Sequence, residues 1–142
     1  MKIEEIKNYL LQNFDKLHLV EAENDLFFMH KKNDKLPFAT LITKDNEYDA
    51  VSNLNREGCF RLNFPVDKQT FESVFKELPK SKKLEAYMHL GIDFTKEDTL
   101  MPHPTYGSMN WVCIVNPSRN TFETLIEKYV KQSYHKINQN EN

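Results

Sequence analysis

The chain has 142 residues, 12% of them aromatic and 28% charged, with a formal net charge of −2 and a pI of about 6.2. That length suits one domain, with a core large enough to need no disulfide or metal staple. The balanced charge excludes a polycation drawn to nucleic acid or anionic membrane, and three glycines are too few for a dinucleotide or phosphate-binding glycine loop.

In chain order, Ile3, Ile6, Leu10 and Phe14 recur at helical spacing and predict an amphipathic helix over residues 2–14. Glu4, Glu5 and Lys7 interrupt the apolar core a signal peptide would need, and no run approaches a membrane span. A cytoplasmic protein without membrane association is expected, its two cysteines reduced. Strands follow near 18–22 and 25–31, joined through Glu23-Asn24-Asp25. Residues 31–37 read as a polar turn closed by Pro37, and 38–43 as a third strand of an antiparallel meander. Residues 46–58 are a polar connection anchored by Tyr48, Val51 and Leu54.

GCFRLNF, 58–64, alternates as a strand: Phe60, Leu62 and Phe64 share one face, Cys59, Arg61 and Asn63 the other. Asp67 is suited to cap a helix over 68–78 carrying Phe71, Val74, Phe75 and Leu78. After a basic loop with Lys80, Lys82 and Lys83, LEAYMHL fits a short strand or a short helix. Thr95 is placed to cap a helical turn over 96–100. WVCIV, 111–115, has the composition of a strand buried on both faces. A last helix spans 119–136, and 138–142 are expected to form a disordered polar tail. The fold class is therefore α+β: one domain over 1–137, an antiparallel sheet with N-terminal, middle and C-terminal helices packed mainly on one face.

No catalytic signature is present: no HExxH, no CxxC pair, no GxSxG. The candidate site comes from MPHPTYG, residues 101–107. Pro102 and Pro104 each fix their own φ and push Met101 and His103 towards extended geometry. Gly107 permits a positive φ before the strand at Trp111. His103 and Tyr106 are thus presented rigidly, which serves a binding site and serves equally a histidine that locks the loop through backbone hydrogen bonds. Arg61, projecting from the sheet face opposite Leu62, either pairs with Asp49 or Glu57 or lines a groove for a carboxylate or phosphate. Arg56, Arg61, Asn63, His103 and Tyr106 form the candidate ligand-binding set, with no catalytic residue assigned. A metal set of His89, Asp93, Asp98 and His103 matches no zinc spacing, and no cofactor is implied. Cys59 and Cys113 sit in apolar runs and read as buried thiols rather than as nucleophiles paired with His103. Trp111, the single tryptophan, reads as a core anchor.

Three stretches, DLFFMH (25–30), PFATLITKDNEYDAVSNLNREGCFRLNF (37–64) and DFTKEDTLMPHPTYGSMNWVCIVNPSRNTFE (93–123), resemble the bacterial family of unknown function DUF6194 over nearly the whole chain. That resemblance implies a family without an activity. The element order is also similar to that of MmcQ/YjbR-like domains, small α+β proteins sometimes grouped with DNA-binding folds, an analogy of shape that does not carry function. Three readings follow: a binding module for a small polar or anionic ligand or a protein partner, a nucleic-acid-binding domain by the MmcQ/YjbR analogy, or an enzyme using His103 as general base. The pI and the lack of a basic recognition helix weigh against the second, and the lack of motifs against the third.

Overall fold

The computed structural model describes residues 1–31, 33–78 and 83–139. Helix α1, Ile3–Asn13, buries Ile6 and Leu10 completely, four residues apart on one face. Strands β1 (Leu17–Ala22) and β2 (Asp25–His30) form a hairpin. Glu23 and Asn24 are its loop, both at positive φ (51° and 73°), the two-residue geometry whose twist matches the flanking strands. Asp25 belongs to β2, where its carboxylate accepts from the Thr43 backbone N–H at 2.7 Å.

Strand β3 runs Asn33–Ile42, so the stretch read from sequence as a polar turn over 31–37 is mostly strand. Pro37 is tolerated there because the β2–β3 register slips on either side of Met29, its partner, and the irregular ladder needs no N–H at that point. Strand β4, Arg61–Pro65, starts three residues later than the alternation suggests, although the facing of Leu62 and Phe64 against Arg61 and Asn63 is as expected. Helix α2, Lys68–Val74, is capped by Asp67, whose side chain accepts from Thr70 N at 2.7 Å. It is shorter than the expected 68–78, because Leu78 packs into a different core from Phe71 and the chain must leave the helix to deliver it.

Helix α3, Leu84–His89, settles the ambiguous LEAYMHL as helical, and puts Leu84 and Tyr87 against one cluster. Residues 79–82, which hold most of the expected basic loop, lie outside the described residues. The expected helical turn at 96–100 is absent. Asp98, at φ 56°, donates its N–H to Val115 O at 2.7 Å, and Asp93 rather than Thr95 does the local capping. Strand β5 is Met101–Pro102, and β6 is Trp111–Val115. The terminal helix opens at α4 (Arg119–Thr121), capped by Ser118, widens into a π-helical stretch over Phe122–Ile126 and continues as α5, Glu127–Gln139. Phe122, Ile126 and Val130 recur at four-residue steps along it and are all buried. The helix continues past 137, so the first two residues of the expected tail are helical, and Asn138 Oδ1 meets His30 Nε2 at 3.0 Å. No helix among the described residues is long and apolar enough to cross a membrane.

All pairings between these strands are antiparallel, Glu97 adds one isolated parallel bridge to Val115, and the strand order is β1-β2-β3-β4-β6-β5. One sheet face carries Phe28, Leu41, Leu62, Phe64, Val112 and Ile114 into the main core under α1, α2 and the terminal helix. On the other face, Cys113, Val115 and Met101 form a second core with Leu54, Phe94 and Tyr87 of α3. That second layer lies mainly over the β5–β6 side and reaches Ile42 at the end of β3. Among the described residues no helix lies over the rest of the face, from β4 to β2.

Candidate functional site

The uncovered part of the sheet is a cleft of about 420 Å3. Its floor follows from register. Asn63 pairs with Thr40 on one side and Cys113 on the other, while Arg61 pairs with Ile42 and Val115. Paired residues share a face, so Thr40, Asn63 and Arg61 must lie together on the side away from the main core. Asn63 Nδ2 donates to Thr40 Oγ1 at 3.0 Å, and Arg61 Nε donates to Asn63 Oδ1 at 2.8 Å.

Arg61 is 1% exposed, and an unpaired charge could not remain there. Its fork faces Asp49: Nη1 donates to Oδ1 at 3.2 Å and Nη2 to Oδ2. Nη1 also donates to Ser52 Oγ at 2.8 Å. Burial, the largest single influence, would lower the Arg61 pKa, but the hydrogen bond to Asp49 and the surrounding negative charge together outweigh it and the net displacement is upward. Asp49 is itself held by an Asn46 turn, in which Asn46 Oδ1 accepts from the N–H groups of Tyr48 (2.8 Å) and Asp49 (3.0 Å). Asp49 is the arginine partner the sequence suggested; Glu57 is not.

The wall opposite is MPHPTYG. His103 donates its N–H to Trp111 O at 2.9 Å and accepts from Gly107 N at 3.0 Å. Its ring Nδ1 accepts from the N–H groups of both Thr105 and Tyr106, each at 3.0 Å. Nδ1 therefore holds a lone pair, and the neutral ring carries its proton on Nε2. Burial first, then the Arg61 charge, pushes the His103 pKa down to about 3. His103 is thus both the loop-locking histidine and a cleft residue, two roles that looked like alternatives in the sequence. Tyr106 follows, its ring 5.0 Å from that of His103 and 6.4 Å from that of Trp111. Trp111 lines the cleft half-buried instead of anchoring a core.

Gly107 does not take a positive φ; Asn110, at φ 64°, makes the left-handed turn into β6. Glycine is needed at 107 because a Cβ there would lie 2.3 Å from the Tyr87 hydroxyl oxygen, and Tyr87 is fully buried and has nowhere to move. Gly107→Ala is expected to lower stability by about 1–3 kcal/mol in urea unfolding, with much of the loss removed in a Tyr87→Phe background. An equal cost in both backgrounds would show that this contact is not the cause.

Arg56, placed with the candidate set by sequence, is elsewhere. It reaches back to Ser52 O (3.2 Å) and Asn53 O (2.9 Å) and across to Thr95 O (3.1 Å), tying its own loop down. The turn at Asn53, with φ 51°, curls the chain so that the nearest acceptors are these carbonyls. The imagined metal set of His89, Asp93, Asp98 and His103 does not assemble, and among the described residues no group of three or more His, Cys, Asp or Glu is placed to hold a metal ion. Cys113 lies beside the floor on the same sheet face, its thiol pushed up to about 12 by burial and directed at Pro102 O, 3.6 Å away. Sequence reasoning missed the rim. Tyr48, read as an apolar anchor of the 46–58 connection, is 85% exposed, and Leu36 and Met109 are more than half exposed. All three line the cleft. Their only sequence signal is a large apolar residue inside a polar turn.

Fold and site together define a small α+β domain whose open sheet face forms a polar-floored, apolar-rimmed cleft over a buried ion pair. The chain belongs to the family of unknown function DUF6194, whose family model matches residues 1–142. No curated protein and no solved structure matches it.

Proposed function

We propose that this domain is a binding module that takes a small molecule with an apolar body and a polar end into the cleft. The observation that carries this reading is where exposed apolar surface falls. Among the described residues the large, exposed hydrophobic side chains are Val20, Leu36, Tyr48, Met88, Leu90, Tyr106 and Met109, and four of them rim this one cleft. Exposed apolar groups gathered around convergent polar groups are the pattern of a ligand site. The floor is preorganised: Arg61, Asn63 and His103 are each held by several hydrogen bonds, so little side-chain freedom is lost when a ligand arrives. A general-base role for His103 is not supported, because its only lone pair accepts two backbone N–H groups.

A thermal-shift screen of a fragment library tests this reading. Compounds that raise Tm for the wild type are expected to lose their effect on a Tyr48→Ala/Tyr106→Ala variant. If no fragment stabilises the wild type, or if the double variant responds equally, the cleft is not the site.

A further inference from the structure

We propose that the cleft selects an uncharged carboxamide-type edge, an amide or lactam carbonyl with its adjacent N–H on a flat apolar body, and discriminates against carboxylates. The proposal rests on the binding reading above and specifies its ligand.

The first argument is the direction of protons. Arg61 Nη2 lies 3.4 Å from His103 Nε2. With Nδ1 committed to the Thr105 and Tyr106 N–H groups, Nε2 carries a hydrogen, so the two nitrogens are both donors and cannot bond each other. Two N–H groups therefore converge at the cleft floor on a position that suits an acceptor oxygen. One carbonyl oxygen, with two lone pairs, can take both.

The second argument is charge. Arg61 is the one cation among the described residues lining the cleft, and its charge is matched by Asp49 in a two-point pairing. Asp25 also lines the cleft, and Lys44, its partner at 3.2 Å, does not. His103 is neutral. An incoming carboxylate meets two carboxylates and no uncompensated cation, so the donors here favour a neutral oxygen over a charged one.

The third argument is the neighbour. Asp49 and His103 meet the same Arg61 nitrogen, which sets an acceptor carboxylate beside the donor pair. An N–H next to the ligand carbonyl finds its acceptor there. Tyr48, Tyr106 and Trp111 all line this cleft and supply aromatic surface against which a flat body can pack.

The test uses three probes of one shape: benzamide, benzoate and toluene. Because Trp111 is the single tryptophan and lines the cleft, its one indole N–H resonance reports occupancy directly. Benzamide is expected to bind the full chain about tenfold or more tighter than either other probe, since a site built around donors rejects an analogue lacking the acceptor. In His103→Asn the side-chain oxygen can still accept from the Thr105 and Tyr106 N–H groups, but the donor at the Nε2 position is gone. That variant is expected to lose the benzamide preference over toluene. Benzoate binding as tightly as benzamide, or toluene matching it, overturns the proposal and leaves the binding reading standing. If none of the three moves the Trp111 resonance, both fall. Should His103→Asn fail to fold, the wild-type ranking alone decides.

Discussion

Asp49→Ala should destabilise the protein by about 3–5 kcal/mol, the range found when one partner of a buried ion pair is removed. Arg61 is 1% exposed and the Asp49 side chain 17% exposed. The loss comes less from the attraction itself than from the guanidinium left in place: without Asp49 the buried charge must be hydrated by local opening of the 46–54 loop, or the strand must shift. Arg119→Ala is the internal control. Arg119 pairs with Glu5 and Glu123, but its side chain is 59% exposed, so screening and side-chain entropy should hold that loss below about 1 kcal/mol. Urea midpoints at constant slope measure both. An Asp49→Ala cost no larger than that of Arg119→Ala would mean that Arg61 is not held as a buried charge.

Acid should destabilise the wild type through His103, and His103→Asn should remove that part of the effect. The unfolded chain protonates this residue near the ordinary histidine value of 6.5, the folded protein only near 3. Between those values the unfolded state binds more protons, so stability rises with pH; it is complete above about 6.5 and is lost as pH falls towards 3. The slope approaches about 1.4 kcal/mol per pH unit, giving roughly 3 kcal/mol between pH 7 and pH 4. Protonation is resisted at both ring nitrogens. The Thr105 and Tyr106 N–H groups face Nδ1 from the same loop, Arg61 faces Nε2 from β4, and Asp49 opposes them only weakly. Because Asn keeps an acceptor for the loop N–H groups but does not titrate, the difference between the two pH–stability curves isolates His103. Asp67, whose carboxyl is held below its usual range chiefly by its bond from Thr70, is common to both proteins and cancels. Parallel curves from pH 7 to pH 4 would contradict the assignment.

Helix α1, the β1–β2 hairpin, the alternation of β4 and the two-sided burial of β6 were legible in the sequence, because each depends on a period or a turn residue within a dozen positions. The errors fall where a distant partner decides. Residues 33–37 are strand because β2 is bulged opposite Pro37; residues 96–100 are not helical because β6 takes the Asp98 N–H; Gly107 is glycine because Tyr87 is packed against it. Local pattern cannot see an opposing strand or a side chain twenty residues away.

The same division holds for the site. Local sequence alone determined that two prolines hold His103 rigid, that Arg61 and Asn63 share a sheet face, and that Asp49 was one of two partners for the arginine. Only tertiary structure decided that β4 brings Arg61 to within 3.4 Å of His103, that Arg56 turns away, and that Tyr48 and Trp111 stand on the rim of a cleft. The physical reason is that a covalent chain fixes which way a side chain leaves its own strand, whereas what it meets depends on which strands pair and where the covering helices stop. Here the second layer lies mainly over β5 and β6 and leaves Arg61 and His103 lining the cleft.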